Sequence, residues 1–252
     1  MYNYYLIIIL FIFLIFFNLK IINETFVNNL IKNLDYIKRI LIDKKPNFKL
    51  NAYCINLKNK SENKDFIKKE WNEFLNINFF EALKSATESH VFLLNKIWKE
   101  RNNIEFPVVI MEDDVFRKNN FTDYFNEIKK IKNCDYIAFD CFFLKFKKDQ
   151  KNINKKFISL LSNRSMGMNV YYKTFFDRFN SLEELNKNIK YNKTIDMHFT
   201  HDPLYIKLTP NKQVCRQIVN KTSTTNRHQK NTNGYNKYYK IAERRLRNSP
   251  GI

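Results

Sequence analysis

Between Val108 and Val115 the chain reads Val-Val-Ile-Met-Glu-Asp-Asp-Val, a short apolar run that ends in three consecutive acids. Residues 107–111 have the length and composition of a buried strand, the kind that α/β sheets place at their centre. In open α/β sheets ligands bind outside the carboxyl ends of the strands, which is where Glu112, Asp113 and Asp114 fall. Three adjacent carboxylates repel one another and raise each other's pKa unless a cation lies among them. A hard-metal site is therefore one reading of the cluster, and a solvated acidic turn is the other. Alternation along an extended chain sends Glu112 and Asp114 to one side and Asp113 to the other. Asp114 is on this reading the principal metal ligand, with Glu112 or Asp113 beside it.

The rest of the body alternates in the same manner, which predicts an α/β sheet with parallel strands. Strands are expected at 52–57, 77–80, 107–111, 136–139, 169–172 and 205–208. Helices are expected at 64–75, from Ser85 to about Arg101, at 124–131 and at 175–185. Ser85-x-x-Glu88 is a capping box that opens the second of these. A basic loop separates the strand at 136–139 from the one at 169–172. Beyond Lys221 the chain turns polar and basic, and 223–252 is expected to be a surface tail.

The N-terminus is different in character. Residues 4–17 are apolar without interruption, and the run continues to Ile22 with only Asn18 and Lys20 intervening. About 20 apolar residues span a bilayer core, so residues 1–23 are expected to form a transmembrane anchor. A cleaved signal peptide is the rival, but no small-x-small cleavage site follows. Phe26, Leu30, Leu34, Ile37 and Leu41 then recur on one helix face, which predicts an amphipathic stem over 24–46. That stem is read either as a helix packed on the body or as a stalk that pairs two copies into a homodimer. Lys44-Lys45-Pro46-Asn47 breaks the helix and opens the body at 47–222.

Charge and cysteines narrow the classes. The formal net charge is +19, from 44 basic and 25 acidic residues, which would suit a polyanionic partner. With 24 Phe, 14 Tyr and only 3 Gly, the skew resembles codon drift toward A and T, and no nucleic-acid-binding motif accompanies the charge. Nucleic acid is not expected as a partner. Cys54, Cys134, Cys141 and Cys215 have no metal-ligand spacing. Asn-x-Ser/Thr sequons at Asn23, Asn59, Asn120, Asn163, Asn192 and Asn220 fit a secretory lumen and a glycoprotein.

Several segments, in order, resemble glycosyltransferase family 25, the lipopolysaccharide and procollagen galactosyltransferase group. Residues 52–57 resemble its opening strand, with Lys64 where the family usually has arginine; Ser89-His90 with Trp98 resembles its Ser-His helix. Residues 107–115 resemble its Glu-Asp-Asp strand, and Asp135-Tyr136-Ile137 the strand that follows. Gly167 to Tyr172, Asp196, and Pro210 to Gln217 match later segments, so that the resemblance covers about residues 50–222. The family's Asp-Gly after its second strand is absent, as are the Gly and Cys before Ser-His.

The resemblance implies a GT-A type nucleotide-sugar-binding fold, a Rossmann-like mixed sheet flanked by helices. It implies a hexosyltransferase that moves galactose or glucose from a UDP-sugar to a glycan or protein hydroxyl, with inversion. Mn²⁺ or Mg²⁺ is the expected cofactor, bridging the donor diphosphate and held by Asp114, Glu112 and Asp113, with His201 able to complete the shell. Ile55, Asn56, Leu57, Lys64, Ser89, His90, Glu112 and Asp113 are the expected nucleotide-sugar contacts. Asp196 is the candidate base on the acceptor hydroxyl, with Asp202 behind it. His90 also reads as a core histidine beside Leu94 and Ile97, and His198 as a surface group. A single-pass ER or Golgi type II membrane protein with a lumenal catalytic domain is the expected location, although the basic flank after the apolar segment would by the positive-inside rule alone place the body in the cytosol. A catalytically silent glycan-binding protein of the same fold is the alternative, and a basic nucleic-acid-associated protein a further one.

Overall fold

Each central strand sends alternate side chains into two different cores, and this layers the protein. The computed structural model describes residues 45–118, 120–140, 142–147, 155–164, 166–190, 205–218 and 232–248. All belong to one compact unit, Lys44–Ile252. Strands β1 (Leu50–Asn56), β3 (Val108–Glu112), β5 (Tyr136–Ala138) and β8 (Met168–Tyr171) form its middle. Ala52, Cys54, Val109, Met111, Ile137 and Val170 line one core; Ile55, Val108, Ile110, Tyr136, Ala138 and Tyr171 line the other. A period of two with both faces apolar requires a cover on each side. Helix α1 (Ser61–Trp71) brings Ile67 and Trp71 to the first core, joined by Phe121 and Phe125 of α3 (Phe121–Phe125). The second core receives α2 (Ala86–Glu100), α4 (Lys173–Asp177), α5 (Leu182–Lys190) and α6 (Thr232–Arg247).

The sheet is mixed. With β2 (Leu75–Glu81), β6 (Phe142–Phe146), β7 (Phe157–Arg164) and β9 (Lys207–Pro210), the order is β2-β1-β3-β8-β5-β9-β7-β6. β1 runs parallel to β2 and β3, and β5 to β9, while β8 lies antiparallel between β3 and β5. β7 is antiparallel to β9 and to β6. The expectation of parallel strands therefore holds only for part of the sheet. The basic loop contains the β6–β7 pair, which alternation failed to signal because β7 buries Ser162 and Asn163 along with Ile158 and Leu160. A two-stranded antiparallel ribbon joins β4 (Val115–Arg117) to β10 (Cys215–Gln217).

The helices follow local signals, with two corrections. Ser85 caps α2 as expected, its hydroxyl accepting from the Glu88 amide at 3.1 Å. The helix expected at 124–131 is instead the five-residue α3 and a 3-10 turn, Ile128–Lys130. The aromatic cluster explains this: Phe121 and Phe125 pack on Phe74, at 5.3 and 5.2 Å between centroids, and the chain then turns to bury Ile128. The helix expected at 175–185 breaks into α4 and α5. Ser181 accepts from the Glu184 amide at 3.1 Å, while Glu184 accepts from the Asn180 amide at 2.8 Å, so a new N-terminus forms inside the apolar run.

In the expected surface tail, α6 buries Tyr239, Ala242 and Leu246 in the second core. Their three- and four-residue spacing is a helix face that the polar composition conceals. Among the described residues no helix is long and apolar enough to cross a membrane. The anchor at 1–23 and nearly all of the stem at 24–46 lie outside the described residues.

Candidate functional site

The carboxyl ends of β1, β3 and β5 meet at one edge of the sheet, beside the start of β8. Register fixes this: Ile55 pairs with Glu112, Met111 with Met168, and Ala138 with Asn169. Asn56, the three acids and Asp140 are thereby drawn together from 85 residues of sequence, counting from 56 to 140. The turn carrying the acids is pinned at several points. The Glu112 amide donates to the Gly167 carbonyl at 2.9 Å, and the Ile218 amide to the Asp114 carbonyl at 2.7 Å. Just beyond, the Trp71 indole donates to the Val115 carbonyl at 2.9 Å, and the Arg117 amide to Glu70 Oε1 at 2.9 Å.

The side chains divide as alternation along the strand dictates. Asp113 turns toward β1 and α1, where its Oδ2 accepts from Asn56 Nδ2 at 2.6 Å and Asn63 Nδ2 at 3.1 Å. Glu112 and Asp114 face the other way and share Gln217, whose Nε2 donates to Glu112 Oε2 at 2.5 Å and to Asp114 Oδ1 at 3.3 Å. His90 Nε2 lies 3.3 Å from Glu112 Oε1. Asp140 completes the group: its Oδ1 accepts from the Tyr239 hydroxyl at 2.8 Å, and its Oδ2 lies 2.2 Å from where a Cβ on residue 167 would stand. Only glycine lets the chain pass so close.

Electrostatics concentrate on Asp114. Its carboxyl is held well above the ordinary carboxylate range, first by its enclosure in protein and then by Glu112, Asp113 and Asp140, with the Gln217 amide opposing. Burial, followed by Asp113, Asp114 and Glu112, also pushes the Cys54 thiol up. Such an excess of negative charge is what a divalent cation offsets, and the donors are hard oxygens suited to Mg²⁺ or Mn²⁺. Among the described residues no three His, Cys, Asp or Glu side chains are disposed as a ready-made metal cage. One or two carboxylates with water and substrate phosphates suffice for Mg²⁺, so the donor set fits that mode of binding and not an all-protein cage.

Of the residues expected at the site, Asn56, His90, Glu112, Asp113 and Asp114 are brought together. His90 is fully buried, as a core histidine would be, yet it faces Glu112, and its Nδ1 has no partner among the described residues. Ser89 is used elsewhere: its hydroxyl accepts from the Leu83 amide at 2.9 Å and donates to the Ser85 carbonyl at 3.0 Å, closing the turn before α2. Lys64 lies 5.7 Å above the Phe79 ring, Ile55 is in the second core, and the Leu57 carbonyl accepts from the Lys60 amide. Asp196, Asp202, His198 and His201 lie outside the described residues. Sequence reasoning did not single out Asp140, Asn63 or Tyr239, and took Gln217 and Gly167 only as parts of resembling segments.

No family model matches the chain, and no curated protein matches it. Among solved structures it is similar to A197 from STIV, at a TM-score of 0.47 and 10% identity over 69% of this chain and 87% of that one. It is also similar to HddC from Yersinia pseudotuberculosis, at a TM-score of 0.36 and 9% identity over 76% of this chain and 78% of that one. Likenesses this distant carry no argument about chemistry. The resemblance to glycosyltransferase family 25 rests on the sequence segments alone.

Proposed function

We propose that the protein is a GT-A type, metal-dependent glycosyltransferase that moves a sugar from a UDP-sugar to a glycan or protein hydroxyl. The observation that supports this is the gathering of Glu112, Asp113, Asp114 and Asp140 at the carboxyl edge of the parallel strands, with Asp114 held above its ordinary range. Asp114 and Glu112 would hold Mn²⁺ or Mg²⁺, which when bound offsets the charge that develops on the departing diphosphate. Asn56 and Asn63 fix Asp113 so that its remaining oxygen is available to the nucleotide. His90, enclosed behind Glu112, orients that carboxylate from the protein side.

In the reaction the acceptor oxygen bonds to the anomeric carbon as the bond from that carbon to the diphosphate oxygen breaks, and the hydroxyl proton passes to a base. Asp196 is proposed as that base, with Asp202 behind it and His201 completing the metal shell. Retention by residues 4–22 in an ER or Golgi membrane is part of the same proposal. Alkaline carbonate extraction tests it, since release of the full-length chain would exclude a spanning helix.

A second reading, a silent glycan-binding protein of the same fold, draws support from Gln217. An amide N–H donated to two carboxylates satisfies them without a cation. Incubating the full chain in detergent with a panel of nucleotide-sugars, with and without Mn²⁺, separates the two. Mn²⁺-dependent release of UDP supports the transferase, and metal-independent glycan binding with no turnover supports the silent protein.

A further inference from the structure

Tyr239 is 1% exposed, on a helix 22 residues beyond Gln217, and its hydroxyl ties Asp140 and Gln217 to one point. It donates to Asp140 Oδ1 at 2.8 Å and accepts from the backbone N–H of Gln217 at 3.2 Å. Gln217 in turn holds Glu112 and Asp114, and Asp140 is pressed from its other side by Gly167. Burial, and next the Asp140 carboxylate, push the Tyr239 phenol well up, so it remains a donor. The helix is itself fastened beside the site, by Ala242 and Leu246 in the second core and by Glu243 Oε1 accepting from Lys118 Nζ at 2.5 Å, one residue past β4.

We infer that α6 is a component of the site and that Tyr239 is a positioning residue, setting Asp140 and Gln217 against the turn at Glu112-Asp113-Asp114. Its hydroxyl acts through these two residues and touches neither cation nor donor. The inference rests on reading that turn as a cation and diphosphate site. A polar partner one step behind metal ligands typically changes affinity by about 10- to 100-fold when removed; Tyr239 stands one step further back, behind Gln217, so the lower end of that range is expected.

The experiment compares the full chain with Tyr239→Phe, which keeps the buried ring, and with Arg178→Ala, which breaks the ion pair to Asp135 at the opposite end of β5 and leaves α6 intact. Mn²⁺ affinity in the presence of UDP is read from the paramagnetic resonance signal of free Mn²⁺. Melting temperature and hydrogen exchange at the Gln217 amide are read on the same samples without metal. Tyr239→Phe is expected to weaken Mn²⁺ about tenfold and to speed exchange at Gln217, whereas Arg178→Ala lowers the melting temperature and leaves Mn²⁺ affinity unchanged. Wild-type affinity in Tyr239→Phe would overturn the positioning role, as would equal weakening in Arg178→Ala. A wild-type chain that does not bind Mn²⁺ overturns the cation reading instead; exchange at Gln217 then decides the positioning, upheld if faster in Tyr239→Phe and overturned if not.

Discussion

Gly167 passes so close to Asp140 that a Cβ at residue 167 would stand 2.2 Å from the carboxylate Oδ2 and 2.9 Å from Cγ of Gln217. Real Cβ atoms do not tolerate the first of these distances, and Asp140 cannot swing away without giving up the Tyr239 hydroxyl. Gly167→Ala is therefore expected to displace Asp140 and Gln217 together. Overpacking of this kind costs about 1 to 3 kcal/mol, to be measured by denaturant unfolding. Loss of Mn²⁺ binding should accompany it, and a variant as stable and as metal-competent as the wild type would contradict the close approach.

The raised Asp114 carboxyl makes a pH prediction of definite sign. An acid whose folded pKa lies above its unfolded value, about 3.9 for aspartate, contributes stability that is complete below the unfolded value. That contribution is lost as pH rises through the folded value, because the native state keeps a proton that the unfolded chain has released. In the absence of metal, the stability difference between wild type and Asp114→Asn should thus move against the wild type as pH rises above the ordinary carboxylate range. Mn²⁺ should reverse the change in the wild type alone. A difference that does not vary with pH would contradict the assignment of strain to Asp114.

Glu70 and Arg117 form an ion pair at 3.4 Å, with side chains 4% and 9% exposed, beneath the strand that leaves the acidic turn. Glu70 also accepts from the Arg117 amide, and the guanidinium lies 4.4 Å over the Phe74 ring. Removing one member of a buried pair leaves the other charged in a poor solvent, at a cost of about 3 to 5 kcal/mol. Glu70→Ala should show that loss in chemical unfolding, and a loss below 1 kcal/mol would contradict the burial on which the figure depends.

Asp135 supplies the control at the opposite end of β5. Its carboxylate is 1% exposed, accepts from Arg178 Nε at 2.9 Å and from the Ile206 amide at 2.7 Å, and pairs with Arg178 Nη2 at 2.7 Å. The pair ties α4 and the approach to β9 to the sheet, away from the carboxyl edge. Arg178→Ala should lower stability by about 3 kcal/mol while leaving Mn²⁺ affinity in the folded protein unchanged. Equal loss of both would mean that the two ends of the strand are coupled.

Much of the layered fold was legible because Leu50–Asn56 and Val108–Glu112 combine strand length with apolar character, and because Ser85 announces α2 by its cap. The antiparallel half was not, since the sequence of β7 carries Ser162 and Asn163 inward and so lacks a clean period of two. Alternation also foresaw how Glu112 and Asp114 part from Asp113. Asp140 was invisible as a site residue because nothing near Ala138-Phe139-Asp140-Cys141 marks it; only the pairing of β5 with β8 brings it beside Gly167. Tyr239 was hidden for the opposite reason, a helix face of Tyr239, Ala242 and Leu246 submerged in a strongly basic segment.

The most direct test of the account is calorimetric titration of UDP into the full chain, with and without Mn²⁺, for wild type and Asp114→Asn. Asp114→Asn keeps the size of the side chain and removes its charge, so the fold should persist while a cation bound as proposed would lose its principal ligand. The wild type is expected to bind UDP only weakly without Mn²⁺, and Asp114→Asn to weaken the Mn²⁺-dependent binding by at least the roughly tenfold that losing a partner behind a metal ligand costs. Metal-dependent UDP binding undiminished in Asp114→Asn, or no UDP binding by the wild type under either condition, would contradict the account.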